Sequence, residues 1–319
     1  MTDPHLADRP PVVVVTGPTA SGKTAAALRL AMRLHGEIVS ADSMQVYRYL
    51  DIGTAKPSLA ERARVPHHLI DVVTPDVEYN AGRYAREARA AVAGIHARGR
   101  VVLVTGGTGL YIRALVEGLL DQGGADRDLR ERLEREHAQA VAAGDPEHLH
   151  RRLGGVDPDA AARIHPNDLR RIVRALELAS RSGVRASALR GEHAFADRPY
   201  SVLHLVLDPG IMALDERTDA RCAEMIERGL LREVRGVLDR GYSPKLRPLQ
   251  AIGYRHVIPV ALGADTLANA LEAMQRDTRR FARRQRTWVR GVHGAIVLHP
   301  DDEDGLVRRV EDFLHGRAA

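Results

Sequence analysis

Four residues near the N-terminus have the types and spacing of a phosphate-binding loop. Gly17, Gly22, Lys23 and Thr24 satisfy the pattern G-x-x-x-x-G-K-[ST] in full, within the stretch VVVVTGPTASGKT. In such a loop, backbone N–H groups and the N-terminus of the next helix surround phosphate oxygens, the lysine adds a positive charge, and the hydroxyl can reach a Mg²⁺ ion. The sequence therefore predicts a site for a phosphorylated compound.

The set of residues that an NTP hydrolase needs beside such a loop is incomplete. These enzymes hold Mg²⁺ with an acidic residue at the end of a later apolar strand. Here the apolar run VVLV leads instead into TGGT at residues 105–108. Asp71 in LIDVV is a candidate substitute, but it sits inside a predicted strand and is equally explained as a structural polar residue. An ATPase therefore lacks its usual acidic Mg²⁺ ligand in this sequence.

Asp42 is the candidate general base. It follows the predicted strand EIVSAD and so falls at the C-terminal edge of a parallel sheet, where the active sites of α/β proteins form. The stretch GGTGLYIRAL places Thr108 at the same edge. Alone, the aspartate could be a helix N-cap and the glycine pair a turn. Beside a phosphate loop, we expect Asp42 and Thr108 to converge on that loop.

The predicted elements describe an α/β core with a helical insertion. The strands VVVV, EIVSAD, PHHLIDVV and RVVLVTGG alternate with the helical stretches TAAALRLAMRLHG, ending at Gly36, and AGRYAREARAAVAGIHARGR. This alternation predicts a P-loop NTPase-like parallel sheet covered by helices. Residues 119–199 are predicted to be an all-helical lobe. A strand in YSVLHLVLDP, a long helix from about Ala213 to Arg240 and a strand near AIVLHP then complete a core of residues 1–118 and 200–319.

Composition limits the class of protein. The chain has 319 residues, a formal net charge of +5 and one cysteine. Cys222 alone excludes an internal disulfide and a thiolate-rich zinc site. The chain lacks an apolar run of about 18 residues, and its N-terminal stretch MTDPHLADRP does not resemble a secretory signal. We therefore expect a soluble cytoplasmic protein with no membrane partner.

Clustered arginines favour an anionic partner. The three clusters are Arg170, Arg171 and Arg174; Arg217 and Arg221; and Arg276, Arg279, Arg280, Arg283, Arg284, Arg286 and Arg290. Each arginine alone is better explained as solvated surface charge. Three clusters in a chain with a phosphate loop favour a nucleic acid. The adjacent His67 and His68 point to opposite faces of a strand, so we assign them no metal.

With these motifs in order, the chain resembles the bacterial tRNA dimethylallyltransferases, also called tRNA isopentenyltransferases. The resemblance runs from about Val12 to Val297 through GPTASGKT, DSMQVYRYLDIGTAKPS, GGTGLY, RIHPNDLRRIVRALE, LQAIGYR and RRFARRQRTWVRG. It implies transfer of a prenyl group from dimethylallyl diphosphate to N6 of adenosine 37, beside the tRNA anticodon. The loop then holds a leaving diphosphate, which makes the missing hydrolase aspartate intelligible.

The resemblance also implies a role for each matched residue. Asp42 accepts a proton from N6, and Thr108 steadies the bridging oxygen of the diphosphate. Lys23, Arg217 and a Mg²⁺ ion near Thr24 take up negative charge. The implied diphosphate loop is Gly17, Pro18, Thr19, Ala20, Ser21, Gly22, Lys23 and Thr24. The implied tRNA contacts are Asp42, Ser43, Met44, Gln45, Thr108, Arg130, Arg170, Arg171, Ile172, Val173, Arg174, Gln250, Ala251, Ile252, Gly253, Tyr254 and Arg255.

Some positions depart from the family pattern, and other activities stay open. Asn80 and Arg83 stand where relatives commonly have a serine and an acid, and His256 stands where an acid is usual. The alternatives are an adenylate isopentenyltransferase acting on free adenine nucleotides and an ATP-binding small-molecule kinase with Asp42 as its base. A non-catalytic RNA-binding protein is disfavoured by the intact site. The helical insertion and the arginines favour tRNA, and no obligate protein partner is evident.

Overall fold

The chain folds into two compact units. A computed structural model describes residues 9–118, 126–182, 185, 187–188 and 197–316. One unit, called here the core unit, comprises Met1–Gly118 and Arg198–Ala319, and the other, the helical unit, comprises Leu119–Asp197. The predicted start of the insertion at Leu119 and its stretch 189–196 lie outside the described residues.

The core unit is built on a parallel sheet. Its described strands are β1 (Pro11–Thr16), β2 (Gly36–Ser40), β3 (His67–His68), β4 (Val101–Gly106), β5 (Ser201–Leu207) and β6 (Ile296–Leu298). They lie in the order β3-β2-β4-β1-β5-β6, and every neighbouring pair is parallel. Residues 12–15 of β1 are fully buried because helices cover both faces of such a sheet. The predicted α/β fold class is confirmed.

Helices surround this sheet and make up the helical unit. The described helices are α1 (Lys23–Arg33), α2 (Leu59–Arg64), α3 (Ala81–Ala97), α4 (Gly109–Val116), α5 (Arg127–Ala142), α6 (His148–Val156), α7 (Pro158–Arg163), α8 (Leu169–Ser182), α9 (Ile211–Glu227), α10 (Leu230–Asp239), α11 (Tyr254–Ala261), α12 (Leu267–Arg290) and α13 (Glu303–Leu314). A short 3₁₀ turn covers Arg247–Gln250. Helices α5 to α8 form the helical unit around its own apolar core.

Three predicted elements are wrong in extent. The strand predicted in PHHLIDVV stops after His68, because Leu69 and Asp71 take φ values of 62° and 58°, in the left-handed region. The long helix predicted from Ala213 to Arg240 is two helices, separated at Gly229 with φ 99°. Gly36 does not end α1 but begins β2, where an added Cβ would lie 2.5 Å from Leu103 Cδ1.

Tight packing holds the start of α1 against the sheet. Ala26, Ala27 and Leu30 are buried in one core cluster with Val13 and Val15 of β1. Small alanine side chains let α1 approach β1 closely. Because both elements are packed in the same core, the two ends of the loop between them are held in place. The sheet edge that carries this loop is therefore a rigid support for a site.

His204 of β5 makes the fold sensitive to acid. Its Nε2 lies 2.9 Å from Thr16 Oγ1, and burial lowers the pKa of the imidazole to about 4. The unfolded chain binds this proton near pH about 6.5, so acid favours unfolding. We expect the free energy of unfolding to fall by about 3 kcal/mol as pH drops from about 6.5 towards 4.

Urea unfolding of the natural protein and of His204→Gln at pH 7.5 and pH 4.5 measures this contribution. Glutamine keeps a polar partner for Thr16 and does not titrate, so the variant should lose less stability in acid than the natural protein. Equal losses in the two proteins would contradict the assignment.

Candidate active site

The phosphate loop lies at the C-terminal edge of the sheet and leads directly into α1. An added Cβ at Gly17 would lie 2.5 Å from Leu207 O, and Gly22 takes φ 87° as the residue before α1. Gly22 supplies no side-chain cap, and the first turn of α1 has no acidic residue. The N–H groups of this turn are therefore available to an anion.

Lys23 has an electrostatic environment that weakens its hold on a proton. Its Nζ donates a hydrogen bond to Pro18 O at 3.2 Å. Burial and the positive charge of Arg221 lower the pKa of Lys23 to about 8, while Asp42 acts in the opposite direction. Lys23 of the phosphate loop thus interacts electrostatically with both Arg221 and Asp42.

Thr108 meets the backbone beside Asp42, as the sequence predicts. The N–H of Thr108 donates to Ala41 O at 3.1 Å. Its Oγ1 accepts from the N–H of Ser43 at 3.0 Å and donates to Ser43 Oγ at 3.2 Å. An added Cβ at Gly106 would lie 2.2 Å from Ala41 O, so this close approach requires glycine.

The Asp42 carboxylate is oriented by its own turn. Its Oδ1 accepts the N–H of Met44 at 2.8 Å and, more weakly, that of Gln45 at 3.4 Å. The Gln45 side chain in turn accepts from Ser40 Oγ at 3.0 Å. Asp42 is half-buried, and its charge acts on both Lys23 and Arg221. The geometry fits a carboxylate held in place to receive a proton.

Arg221, which the sequence places in one arginine cluster with Arg217, is a candidate site residue to which the family resemblance assigns no role. Burial lowers the pKa of its guanidinium, and the charge of Asp42 opposes this change. Arg217 lies one turn earlier on α9, with Nη2 4.0 Å from Asp301 Oδ1. Both arginines lie on one helix face and are half-buried. The electrostatic interaction of Arg221 with Lys23 and Asp42 distinguishes it, and no local sequence pattern signals that interaction.

Asp71 is engaged in ion pairs. Its two oxygens accept from Lys56 Nζ at 2.6 Å and from Arg62 Nη1 at 2.7 Å. Although burial opposes it, hydrogen bonds from these two cations hold the pKa of Asp71 below its usual value. Lys56 Nζ also donates to Tyr47 O at 2.6 Å and pairs with Asp51. These contacts favour the structural interpretation of Asp71.

Glu233 of α10 fastens the loop that follows Asp42. Its carboxylate accepts three successive N–H groups, from residues 51, 52 and 53, at 2.9, 2.7 and 3.2 Å. It also accepts the hydroxyl of the fully buried Tyr254 at 2.7 Å. Within the implied tRNA-binding span 250–255, the Tyr254 side chain is thus a support for this loop, whereas Gln250 and Arg255 are exposed.

The helical unit contains a buried carboxylate between two arginines. Glu177 is fully buried and accepts Arg130 Nη2 at 2.8 Å and Arg174 Nη1 at 2.7 Å. Ile172 and Val173, two of the implied tRNA contacts, are 1% and 4% exposed in the core of this unit. Their side chains are packed in this core and do not face an RNA, so a contact of these two positions with tRNA would be made by their backbone. Arg170 and Arg171 are exposed.

The C-terminal arginine cluster is largely paired with acids. Arg283 contacts Asp215 at 2.6 Å, and Arg286 contacts Asp208 at 2.7 Å. Arg279 forms an ion pair with Asp219. These pairs fasten α12 to α9 and to the end of β5, so the cluster is less basic than its sequence indicates.

The residues that depart from the family pattern have local partners. Asn80 caps α3, its Oδ1 accepting the N–H of Arg83 at 3.0 Å. The Arg83 side chain pairs with Glu87 at 2.8 Å. His256 Nε2 lies 3.1 Å from Asp277. Each departure is therefore accommodated inside the core unit.

Neither a metal-ligand cluster nor a membrane-spanning helix is found among the described residues. In that part of the chain, no group of three or more His, Cys, Asp or Glu side chains is arranged to hold a metal ion. No described helix combines the length and apolarity needed to cross a membrane.

A phosphate loop on an interior strand of a parallel sheet places the chain among P-loop-like α/β proteins. A family model described as IPP transferase matches residues 45–292. The chain belongs to this IPP transferase family.

Known relatives match nearly the whole chain. It is 50% identical over 281 residues to tRNA dimethylallyltransferase 2 of Geotalea uraniireducens, covering 88% of this chain and 89% of the relative. It is 51% identical over 302 residues to tRNA dimethylallyltransferase of Anaeromyxobacter sp. strain Fw109-5, covering 94% and 99%. These relatives confirm the family resemblance inferred from the motifs.

Solved structures of tRNA-modifying prenyltransferases also resemble this chain. Full-length tRNA isopentenylpyrophosphate transferase from Bacillus halodurans superposes with a TM-score of 0.68 at 36% identity, covering 96% of this chain and 95% of that one. A eukaryotic dimethylallyltransferase acting on tRNA superposes with a TM-score of 0.80 at 29% identity, covering 97% and 80%.

Proposed function

We propose that the protein transfers the dimethylallyl group of dimethylallyl diphosphate to N6 of adenosine 37 in tRNA. The N6–carbon bond forms, the carbon–oxygen bond to diphosphate breaks, and the N6 proton leaves to a base. The observation that carries the proposal is the hydrogen bond from the N–H of Ser43 to Thr108 Oγ1, at 3.0 Å. It lies beside Asp42, whose negative charge raises the pKa of Lys23 in the phosphate loop against the larger effect of burial. Base, hydroxyl and phosphate site then serve one reaction.

The phosphate loop suits a diphosphate leaving group. The N–H groups at the start of α1 and the cation of Lys23 stabilise charge that develops on the departing oxygens. Arg221 adds a second positive charge to the same field, and Arg217, one turn away, is proposed to approach the diphosphate from the same helix face. Such stabilisation acts on the leaving group and requires no water aimed at a terminal phosphate.

Asp42 is proposed as the base for the adenine amino proton. The turn holds one carboxylate oxygen through Met44 N–H, leaving the other to face the substrate. Adenine N6 is a weak nucleophile, and its base must leave the anticodon-loop stack to reach the site. Alignment of N6 and the allylic carbon within about 3 to 3.5 Å therefore supplies much of the rate. Thr108 would turn its hydroxyl from Ser43 to the bridging oxygen.

Mg²⁺ is the proposed cofactor. The ion prefers oxygen ligands and commonly keeps several waters while binding substrate phosphates, which suits a site with the Thr24 hydroxyl and no acidic cluster among the described residues. The buried Ser21 Oγ lacks a hydrogen-bond partner, and this one unused hydroxyl oxygen in the loop supports the proposal. When bound, the ion would neutralise diphosphate charge.

Each unit carries proposed tRNA contacts of its own. In the core unit they comprise the turn from Asp42 to Gln45, with Gln250 and Arg255. In the helical unit they comprise the exposed Arg170 and Arg171 and the two arginines on Glu177. Arginine contacts to phosphates fix the position of a folded RNA and do not read its sequence. We place this reaction in the cytoplasm, where unmodified tRNA is found.

Arg170→Ala and Arg171→Ala are expected to raise the KM for tRNA about 3- to 10-fold each, because each removes one phosphate contact. The KM for the prenyl donor should stay unchanged. Each variant should also lower the slope of log affinity against log salt by about 1. Arg135→Ala is the matched control, since Arg135 is an exposed arginine of the same unit. A change in donor KM without a change in tRNA KM would contradict the prediction.

One assay separates the proposed activity from its alternatives. Purified protein is incubated with labelled dimethylallyl diphosphate and either unmodified tRNA or free AMP, ADP and ATP. Label in tRNA supports the proposal, and label in the free nucleotides supports an adenylate isopentenyltransferase. Transfer of labelled phosphate from ATP to an acceptor, with no prenyl transfer, would support a kinase instead.

A further inference from the structure

Gln285 of α12 touches two loops of the candidate site at once. Its Oε1 accepts the N–H of Thr19 at 2.8 Å. Its Nε2 donates to Gly107 O at 3.0 Å. An added Cβ at Gly107 would lie 2.4 Å from this Nε2, so side chain and backbone are in close contact. One amide group thereby uses both its donor and its acceptor to join segments far apart in sequence.

The two bonded segments carry the proposed chemistry. Thr19 lies in the phosphate loop, four residues before Lys23. Gly107 directly precedes Thr108. The N–H of Thr19 donates to the glutamine while this bridge stands, so Thr19 does not offer this N–H to an anion. The bridge therefore affects both the shape of the phosphate site and the place of Thr108.

We propose that Gln285 is a positioning residue that sets the spacing between the phosphate loop and Thr108. The inference rests on the proposed function, in which both segments hold the same leaving diphosphate. The pairing of β1 with β4 ends at Thr16 and Gly106, so the sheet fixes where the two loops begin but does not fix the spacing of Thr19 and Thr108 beyond it. A side-chain amide from a third element supplies that constraint. Misplacement by about 1 Å can cost about 10²-fold in rate.

Trp288 offers a direct probe of this region. It is the only tryptophan of the chain and lies one turn after Gln285 on α12. An added Cβ at Gly109 would lie 2.2 Å from its Cε2, so the indole packs against the residue that follows Thr108. Its fluorescence therefore reports on the loop that Gln285 holds.

Three variants test the inference. Gln285→Ala removes both hydrogen bonds, whereas Gln285→Glu keeps an acceptor for Thr19 and loses the donor to Gly107. Gln275→Ala is the matched control, because Gln275 lies on the same helix and donates to a backbone oxygen, Asp219 O, at 3.2 Å. Thermal unfolding shows whether each variant is folded, and the glutamate variant keeps the test valid if the alanine variant is not.

Gln285→Ala should lower kcat about 10- to 100-fold while the KM for tRNA changes less than about twofold. Gln285→Glu should also lower kcat, and Gln275→Ala should match the natural protein. Titration with inorganic diphosphate should change Trp288 fluorescence in the natural protein and do so with less than half the amplitude in Gln285→Ala. An unchanged kcat in folded Gln285→Ala, or an equal loss in Gln275→Ala, would overturn the inference.

Failure of the inference and failure of the proposed function give different results. If the natural protein transfers no dimethylallyl group to tRNA, the proposed function fails. The diphosphate titration still reports on the bridge in that case, because it needs no turnover. If the natural protein is active and the Gln285 variants equal it in kcat and fluorescence amplitude, the positioning role alone fails.

Discussion

Asp42→Asn should lower kcat for prenyl transfer by about 10²- to 10⁴-fold, the usual contribution of a positioned general base. Asparagine retains an oxygen to accept the N–H of Met44, which Asp42 Oδ1 accepts at 2.8 Å, so the turn should stand. The variant removes the carboxylate that we propose accepts the proton as N6 attacks. Steady-state assays with labelled donor and unmodified tRNA measure the loss.

Binding measurements decide whether this loss is chemical. The dissociation constant for tRNA should stay within about threefold of the natural value, since a general base acts on the proton in the transition state and adds little to ground-state binding. Asp265→Asn is the matched control, because Asp265 is an exposed carboxylate of the core unit that also accepts a backbone N–H. Turnover near the natural rate in Asp42→Asn would remove Asp42 from the proposed role.

Lys23→Ala should lower kcat/KM for dimethylallyl diphosphate by about 10²- to 10³-fold, the scale found when one preorganised group that stabilises transition-state charge is removed. In the proposed site Lys23 acts on the diphosphate as a compact point charge, and the variant removes that charge. The KM for tRNA should change little. Competition by inorganic diphosphate should weaken in parallel, whereas retained competition would show that other groups hold the anion.

The lowered pKa of Lys23 leads us to expect a pH dependence of kcat/KM for the donor. The pKa of Lys23 is lowered to about 8 by burial and by Arg221, so the free enzyme loses this cation as pH rises through about 8. We expect kcat/KM for the donor to fall about tenfold per pH unit above that value, because kcat/KM reports groups of the free enzyme. Lys23→Arg, which stays charged, should abolish the fall. An identical alkaline limb in that variant would assign it to another group.

Much of the candidate site can be predicted from sequence because its signals are local. The glycine spacing defines the phosphate loop, and the apolar runs before Asp42 and Thr108 place both at one edge of a parallel sheet. The contacts of Gln285, Glu233 and Arg221 cannot be predicted this way. Gln285 lies 266 residues from Thr19 in sequence, so only the packing of α12 brings them together.

Motif resemblance marks spans of the chain and does not say which side chains face outward. Ile172 and Val173 fall within an implied RNA-binding span but are packed in the helical unit, because one face of an amphipathic helix must form its core. Tyr254 also lies in an implied RNA-binding span but is fully buried, and its hydroxyl donates a hydrogen bond to Glu233. Burial of this kind follows from tertiary packing, which a short motif does not encode.

The Glu233 carboxylate has a thermodynamic consequence for recognition. The segment after Asp42 consists of turns and one isolated bridge, a kind of backbone that would ordinarily sample many conformations in the free protein. Three N–H groups bound to one acid hold it in a single shape before any substrate arrives. The entropy of ordering this segment is thus lost during folding, and encounter with an RNA need not incur it again.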